Sequence, residues 1–207
     1  ELTLVFRQEQ EVDFAAIAHQ SLQALGTIDD PSELALRLDY RISHILVDEF
    51  QDTSYSQFHL LEQLTAGWQP NDGRTLFIVG DPMQSIYRFR QAEVGLFLQA
   101  QRFGLGSVHL NSLKLSCNFR SCENMIEWVN SSFRTIFPVE DDPRYGAVSY
   151  AMADKIHGAE PQGGCHYRLA SSKSDELQFI TDFIHQELQE SNDTIAILVK
   201  ARRHLHD

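Results

Sequence analysis

The chain has 207 residues, 43% of them hydrophobic and 22% charged, with a formal net charge of −12 and a pI near 5.1. That is enough apolar material for a core, so global disorder is excluded, and the length suits one large domain or one and a half. No apolar run approaches a membrane-spanning length, and the acidity argues against a protein that coats nucleic acid by charge alone. The charge is uneven, however. Residues 1–73 hold 3 Lys/Arg against 13 Asp/Glu, whereas residues 74–134 hold 7 against 4. A basic stretch inside an acidic chain permits a channel that touches phosphates. Three cysteines (Cys117, Cys122, Cys165) are too few, and odd in number, for a disulfide scaffold, which points to a reducing cytoplasm. The chain opens mid-pattern at ELTLVF with neither an initiating Met nor a signal peptide, so a piece of something longer is expected.

Asp13 is placed to cap a helix whose Phe14, Ile17, Leu22 and Leu25 share a face, with Gly26 where it should stop. Asp30, Pro31 and Glu33 announce a second helix: cap, first-turn proline, then an acid three residues after the cap. SHILVDEF, residues 43–50, is a short apolar run without polar alternation, which predicts a strand buried on both faces of a helix-covered parallel sheet. Residues 54–66 return to helical spacing through Phe58, Leu61 and Leu64 and end at Gly67. TLFIVG at 75–80 predicts another buried strand, 92–102 a helix, 107–115 a third strand, and 121–136 a helix capped by Ser121. Pro138, Pro143, Pro161, Gly146, Gly158, Gly163 and Gly164 then crowd residues 138–164, which predicts a connection between two domains. Beyond it CHYRLA (165–170), a helix over 174–190 and TIAILVK (194–200) restart the rhythm. Strand alternating with helix predicts an α/β fold with a doubly wound parallel sheet.

The strongest chemical signal is Ile45-Leu46-Val47-Asp48-Glu49, an apolar run entering two adjacent acids. Ligands bind at the C-terminal edge of a parallel sheet, where one carboxylate can hold magnesium and its neighbour can take a proton from an attacking water. Acids at a strand end can equally cap the following turn. Two later motifs tip the balance. DEFQDT at 48–53, GDPMQSIYRFR at 80–90 and LSCNFRS at 115–121 each come after a predicted strand, so one sheet edge could collect them all.

On these three motifs, with DF at 13–14 and LALRLDYRISHILVDEFQDTS at 34–54, the chain resembles superfamily 1 DNA helicases of the UvrD/Rep/PcrA type. It resembles the RecB/AddA-like helicase–nucleases more closely. The resemblance covers most of residues 12–136 and is weaker at 165–204. It implies the C-terminal part of a first RecA-like domain over 1–137, a linker at 138–164, and the start of a second RecA-like domain at 165–207. It implies ATP and Mg2+ as cofactors, with Asp48 binding magnesium and Glu49 activating the hydrolytic water. It also implies that Gln84 senses the γ-phosphate, that Phe119 stacks on adenine, that Arg120 reaches the γ-phosphate, and that Phe89 and Arg90 face single-stranded DNA. The implied partners are single- and double-stranded DNA and other subunits of a helicase–nuclease complex, in the bacterial cytoplasm and in DNA repair and recombination.

Each residue also has a plainer reading. Phe89 alone would more often be core, but Arg88 and Arg90 bracket it, and a core seldom surrounds a Phe with charge. Gln84 could cap a turn, Asp52 could bond the following helix start, Phe119 could be core with no stacking role, and Tyr87 could be core or support the motif. Cys117 and Cys122 have no second cysteine pair for a zinc site, and the nine His show no metal spacing. Two departures from the family pattern stand out. Gln91 occupies the position after Phe-Arg where the family usually has Gly, and no GxxxxGK[ST] occurs anywhere in the chain. The chain is therefore expected to be an internal segment that cannot hydrolyse ATP alone. Two rival readings remain: a catalytically inactive helicase-like module for DNA binding or partner docking, and a metal-dependent hydrolase using Asp48, Glu49 and Asp81 as a carboxylate cluster.

Overall fold

The computed structural model describes residues 6, 9, 11–158, 164–190 and 194–201, and it divides into two compact units, 1–164 and 165–207. Helix α1, Phe14–Leu25, opens on Asp13, whose carboxylate accepts from the Ala16 N–H at 2.6 Å. It closes at Gly26, where the backbone turns to φ 80° and a Cβ would lie 2.6 Å from the Asp30 carbonyl oxygen. Helix α2, Glu33–Arg41, is capped by Ser32 rather than by Asp30. The Ser32 hydroxyl accepts from Ala35 and donates to the Ala24 carbonyl, while the Asp30 amide is taken by Thr27 Oγ1. Tying the loop back onto α1 moves the cap two residues downstream of its sequence signal.

Strand β1, His44–Val47, pairs in parallel with β2, Thr75–Ile78, so that Val47 lies beside Ile78. Between them runs α3, Tyr55–Thr65, started by a capping box in which Ser54 and Gln57 satisfy each other's backbone N–H groups. Helix α4, Val94–Phe103, follows β2. The core lies on one side of the strand pair: Phe50, Phe58, Leu96, Ala100 and Leu105 are buried, with Val47, Leu76 and Ile78 packed against them. The opposite side is open, with Leu46 71% and Phe77 55% exposed. The expectation of strands buried on both faces is thus not met within the described residues, because only one helical layer lies against this pair. Apolar side chains on both faces of a strand normally call for a layer on each.

The third predicted strand, 107–115, is not a strand. It carries only an isolated bridge between Leu105 and Val108, and Leu113 and Leu115 are exposed. Extended backbone becomes a strand only beside a partner, and the pairing falls slightly later. Strand β3, Cys117–Asn118, runs parallel to β4, Asp154–Lys155, so the described residues hold two two-stranded parallel pairs. Helix α5, Glu123–Phe133, starts from Cys122 without a side-chain cap. Ser121, the expected cap, lies one residue before that start, and its N–H goes to the Asn118 side chain. Residues 138–158 lie in the first unit, where Asn130 of α5 bonds both the N–H and the carbonyl of Ala153 and takes the Tyr150 hydroxyl.

In the second unit, α6, Lys173–Glu190, is the helix expected there, and the backbone at 165–170 and 194–200 is irregular rather than stranded. Among the described residues six α-helices and four short parallel strands make an α/β architecture, and no helix is long and apolar enough to cross a membrane.

Candidate functional site

The end of β1 delivers two acids. Asp48 and Glu49 are exposed, and Asp48 Oδ1 accepts the Glu49 N–H at 2.9 Å. Glu49 is left-handed at φ 52°, a conformation that costs a non-glycine residue roughly 1 kcal/mol and marks a strained position. The chain then enters a 3-10 turn, Phe50–Asp52, that buries Phe50 and Gln51 completely. The Phe50 N–H donates to the Val79 carbonyl at 3.0 Å, extending the β1–β2 contact past both strands. Asp52 does not cap the next helix, since Ser54 does; its weak contacts are with Gln51 and Ser85 at 3.5 Å.

The end of β2 delivers Asp81, which caps a second 3-10 turn, Pro82–Gln84, through the Met83 N–H. Gln84 Nε2 donates to the other Asp81 oxygen at 2.8 Å, so Gln84 does lie on a turn, with its side chain exposed. Buried Gln51 spans the two strand ends. Its Nε2 donates to Glu49 Oε2 at 2.6 Å, and its Oε1 accepts the Asp81 N–H at 3.1 Å. Glu49 and Gln84, expected to act together, are thereby joined by hydrogen bonds through Gln51 and Asp81.

This arrangement bears on a metal. Both Asp81 oxygens are engaged by protein donors, and no group of three metal-ligating side chains exists among the described residues. The carboxylate-cluster hydrolase is therefore not supported. Asp48 Oδ2 has no protein partner among the described residues, and a single free carboxylate suits Mg2+, which takes one or two protein oxygens and completes its shell with phosphate and water.

A third turn, Arg88–Arg90, carries an exposed aromatic group. Phe89 is 77% exposed and lies 5.9 Å from the Tyr87 ring, and the Arg90 guanidinium sits 5.1 Å from the Tyr87 centroid and 5.4 Å from that of Phe89. Phe89 is thus not core, and Tyr87 is a neighbour in the same platform. Gln91 comes next in the left-handed region at φ 67°, the conformation that a glycine adopts without strain. The departure from the family's Gly is therefore accommodated without leaving the glycine backbone. Gln91→Gly is expected to raise stability by up to about 1 kcal/mol, measured by chemical denaturation, with the platform undisturbed.

The third motif forms its own loop. Asn118 Oδ1 accepts the N–H groups of Arg120 at 2.9 Å and Ser121 at 3.0 Å, which folds the loop and presents Phe119, 69% exposed, beside an exposed Arg120. The Arg120 guanidinium has no partner among the described residues. Residues 154–158 brace the loop from behind. Asp154 bonds the Ser116 hydroxyl, His157 Nε2 donates to the Phe119 carbonyl at 2.8 Å, and the Glu123 N–H reaches the Gly158 carbonyl. Lys155 bridges Glu123 and Glu127, whose hydrogen bonds raise its pKa above the ordinary lysine value. The Ala151 N–H reaches Met83 Sδ at 3.3 Å, linking this brace to the Gln84 turn.

Residues 1–103 match the family model of the UvrD/REP helicase N-terminal domain. Residues 1–103 therefore belong to the UvrD/REP helicase family. The chain is also similar to ATP-dependent helicase/nuclease subunits of Staphylococcus aureus. It is 36% identical to that of strain JH9 and 37% identical to that of strain MRSA252, over 158 residues in each case. Those matches cover 75% of this chain but only 12% of either relative, so the chain spans about an eighth of their length.

Within the UvrD/REP match lie Asp48, Glu49, Gln84, Phe89 and Arg90, while Phe119 and Arg120 lie beyond it. Sequence reasoning passed over Gln51, Asn118, Lys155 and His157. Asn118 could have been found from the Asx-turn preference of Asn before a tight loop. Apart from the contacts of Gln51 with Glu49 and Asp52, the bonds of Gln51, Lys155 and His157 reach residues 28 to 38 positions away and left no local signal.

Proposed function

We propose that this chain is a segment of an ATP-driven DNA helicase, carrying part of a first RecA-like domain through about residue 137, a connection, and the start of a second from 165. In this reading magnesium is held by Asp48 and the nucleotide's phosphates, and Glu49 takes the proton of the attacking water. Gln84 and Arg120 contact the γ-phosphate, Arg120 as a permanent charge that forks onto phosphate oxygens, and Phe119 offers a ring to adenine. Phe89 and Arg90 meet single-stranded DNA, by stacking and by charge. Closing and opening of the nucleotide cleft would then move the strand past this platform and separate the duplex. The reading is carried by the meeting of the Asp48-Glu49 pair with the Gln84 turn at one end of the parallel strands, joined by hydrogen bonds. The partners would be DNA and the other subunits of a helicase–nuclease assembly, in DNA repair and recombination in the bacterial cytoplasm.

The rival, a helicase-like module without catalysis, gives no reason for Glu49 to be strained and hydrogen-bonded beside a free Asp48 oxygen. The decisive assay uses the longer protein that contains this segment. Phe89→Ala is expected to weaken single-strand binding by about 1–3 kcal/mol through lost stacking, roughly 5- to 150-fold. Arg90→Ala is expected to weaken it most at low salt, because a phosphate contact is lost. In both, ATP hydrolysis without DNA stays near normal while DNA stimulation and strand displacement fall. The measurement is ATPase rate against oligonucleotide concentration. Absence of DNA-stimulated ATPase in the unmodified protein would favour the module instead.

A further inference from the structure

We infer that Gln51 is a positioning residue that couples the water-activating carboxylate of Glu49 to the phosphate-sensing turn at Gln84; this rests on the roles proposed above for those two residues. Gln51 is 1% exposed, so its amide has no water to turn to, and each of its functional atoms is committed. Nε2 is on Glu49 Oε2 and Oε1 is on the Asp81 N–H, while Asp81 takes the Gln84 amide. The amide is held in place from outside as well. A Cβ on Gly80 would lie 2.5 Å from Gln51 Oε1 and 3.1 Å from the Phe50 N, so the end of β2 presses backbone directly against the Gln51 carbonyl. The Ser85 hydroxyl, at the close of the sensing turn, donates to the Gln51 backbone carbonyl at 3.2 Å.

Two connections therefore run from the sensing turn to Gln51, and one runs from Gln51 to Glu49. An exposed carboxylate on a left-handed residue would otherwise sample several rotamers, whereas a short bond from a buried amide fixes one of its oxygens. A displacement of the Asp81–Gln84 turn is passed to the Gln51 carbonyl and from there to the Glu49 carboxylate, with no intermediate other than one side chain. A glutamine suits this place because it donates and accepts at once. Glutamate would set a second carboxylate against Glu49, and a hydrocarbon would leave the Asp81 N–H without its acceptor.

The test uses the longer protein and four variants: Gln51→Met, Gly80→Ala, Glu49→Gln, and Gln51→Met combined with Glu49→Gln. Gln51→Met keeps the volume and removes both bonds. Gly80→Ala keeps the glutamine and pushes on its carbonyl. A misplaced base costs up to about a hundredfold in rate, so Gln51→Met is expected to lower kcat by about 10- to 100-fold with KM for ATP within about threefold, and Gly80→Ala to do the same more mildly. In the Glu49→Gln background Gln51→Met is expected to add less than about twofold, because there is no base left to position. A full independent loss in that background, or a fall in thermal midpoint with kcat unchanged, overturns the inference. Glu49→Gln by itself reports on the underlying reading. If it hydrolyses ATP normally, the assignment of the base fails first and the role of Gln51 falls with it.

Discussion

Replacing Glu49 by Gln in the longer protein is expected to lower ATP turnover by about 10²–10⁴-fold, the range for loss of a general base. The substitution keeps the shape of the side chain and leaves Asp48 with its free oxygen, so nucleotide affinity in magnesium should be retained. The amide can still accept from Gln51 Nε2 through its carbonyl oxygen, so the strained backbone at position 49 keeps its support and the thermal midpoint should move little. Asp48→Asn should behave differently, weakening magnesium-dependent nucleotide binding along with rate, because the charge proposed to hold the cation is lost. Steady-state kinetics combined with a fluorescent-nucleotide titration separates the two. Near-normal hydrolysis by the Glu49→Gln variant would remove Glu49 from the mechanism.

Arg120→Ala should be comparably severe, lowering turnover on the order of 10³-fold, as loss of a guanidinium that stabilises charge on a transferring phosphoryl group does. The structure predicts that this loss comes with little structural cost. The guanidinium makes no bond among the described residues, and the loop is held by Asn118, His157 and the β3–β4 pairing instead. Arg120→Lys should restore little, since an ammonium is a point charge and cannot fork onto two oxygens. Turnover at saturating ATP, read beside a thermal melt, checks both statements. A variant that melts early and turns over in proportion to its folded fraction would make Arg120 a structural residue.

The Asn118 loop shows why such losses can be separated from folding. Where a functional side chain is presented by backbone bonds to other residues, removing it leaves the presentation intact. Where the supporting residue is itself buried, as Gln51 is, function and packing change together, and only a double-variant comparison separates them.

Legibility in the sequence tracks the range of the interactions involved. The Asp13 cap, the Gly26 stop, the helix at 94–103 and the helix at 173–190 are encoded within one or two turns of chain, by capping groups and 3.6-residue periodicity, and each is found close to where its signal stands. The acids at the end of β1 were legible because an apolar run that enters two charges is unusual as packing. Even local signals were displaced where a distant group competed. Asp30 lost the cap of α2 to Ser32 because the loop bonds back onto α1, and Ser121 stands one residue ahead of Cys122, where α5 starts, in the loop that Asn118 folds.

By itself the sequence determined an α/β chain with acids at the end of a strand and aromatic–arginine pairs in two later loops, since these rest on residue type and short spacing. Only the tertiary structure decided that residues 117–118 rather than 107–115 form the third strand, since a strand is defined by its partner and the partner lies at 154–155. It decided likewise that Phe89 stands exposed beside Tyr87 and Arg90, and that the β1–β2 pair is covered on one face among the described residues. It alone brought Gln51 between Glu49 and Asp81, across 30 residues of chain. Contacts of that length depend on where whole elements pack, and burial, not local pattern, sets which amide must find which partner.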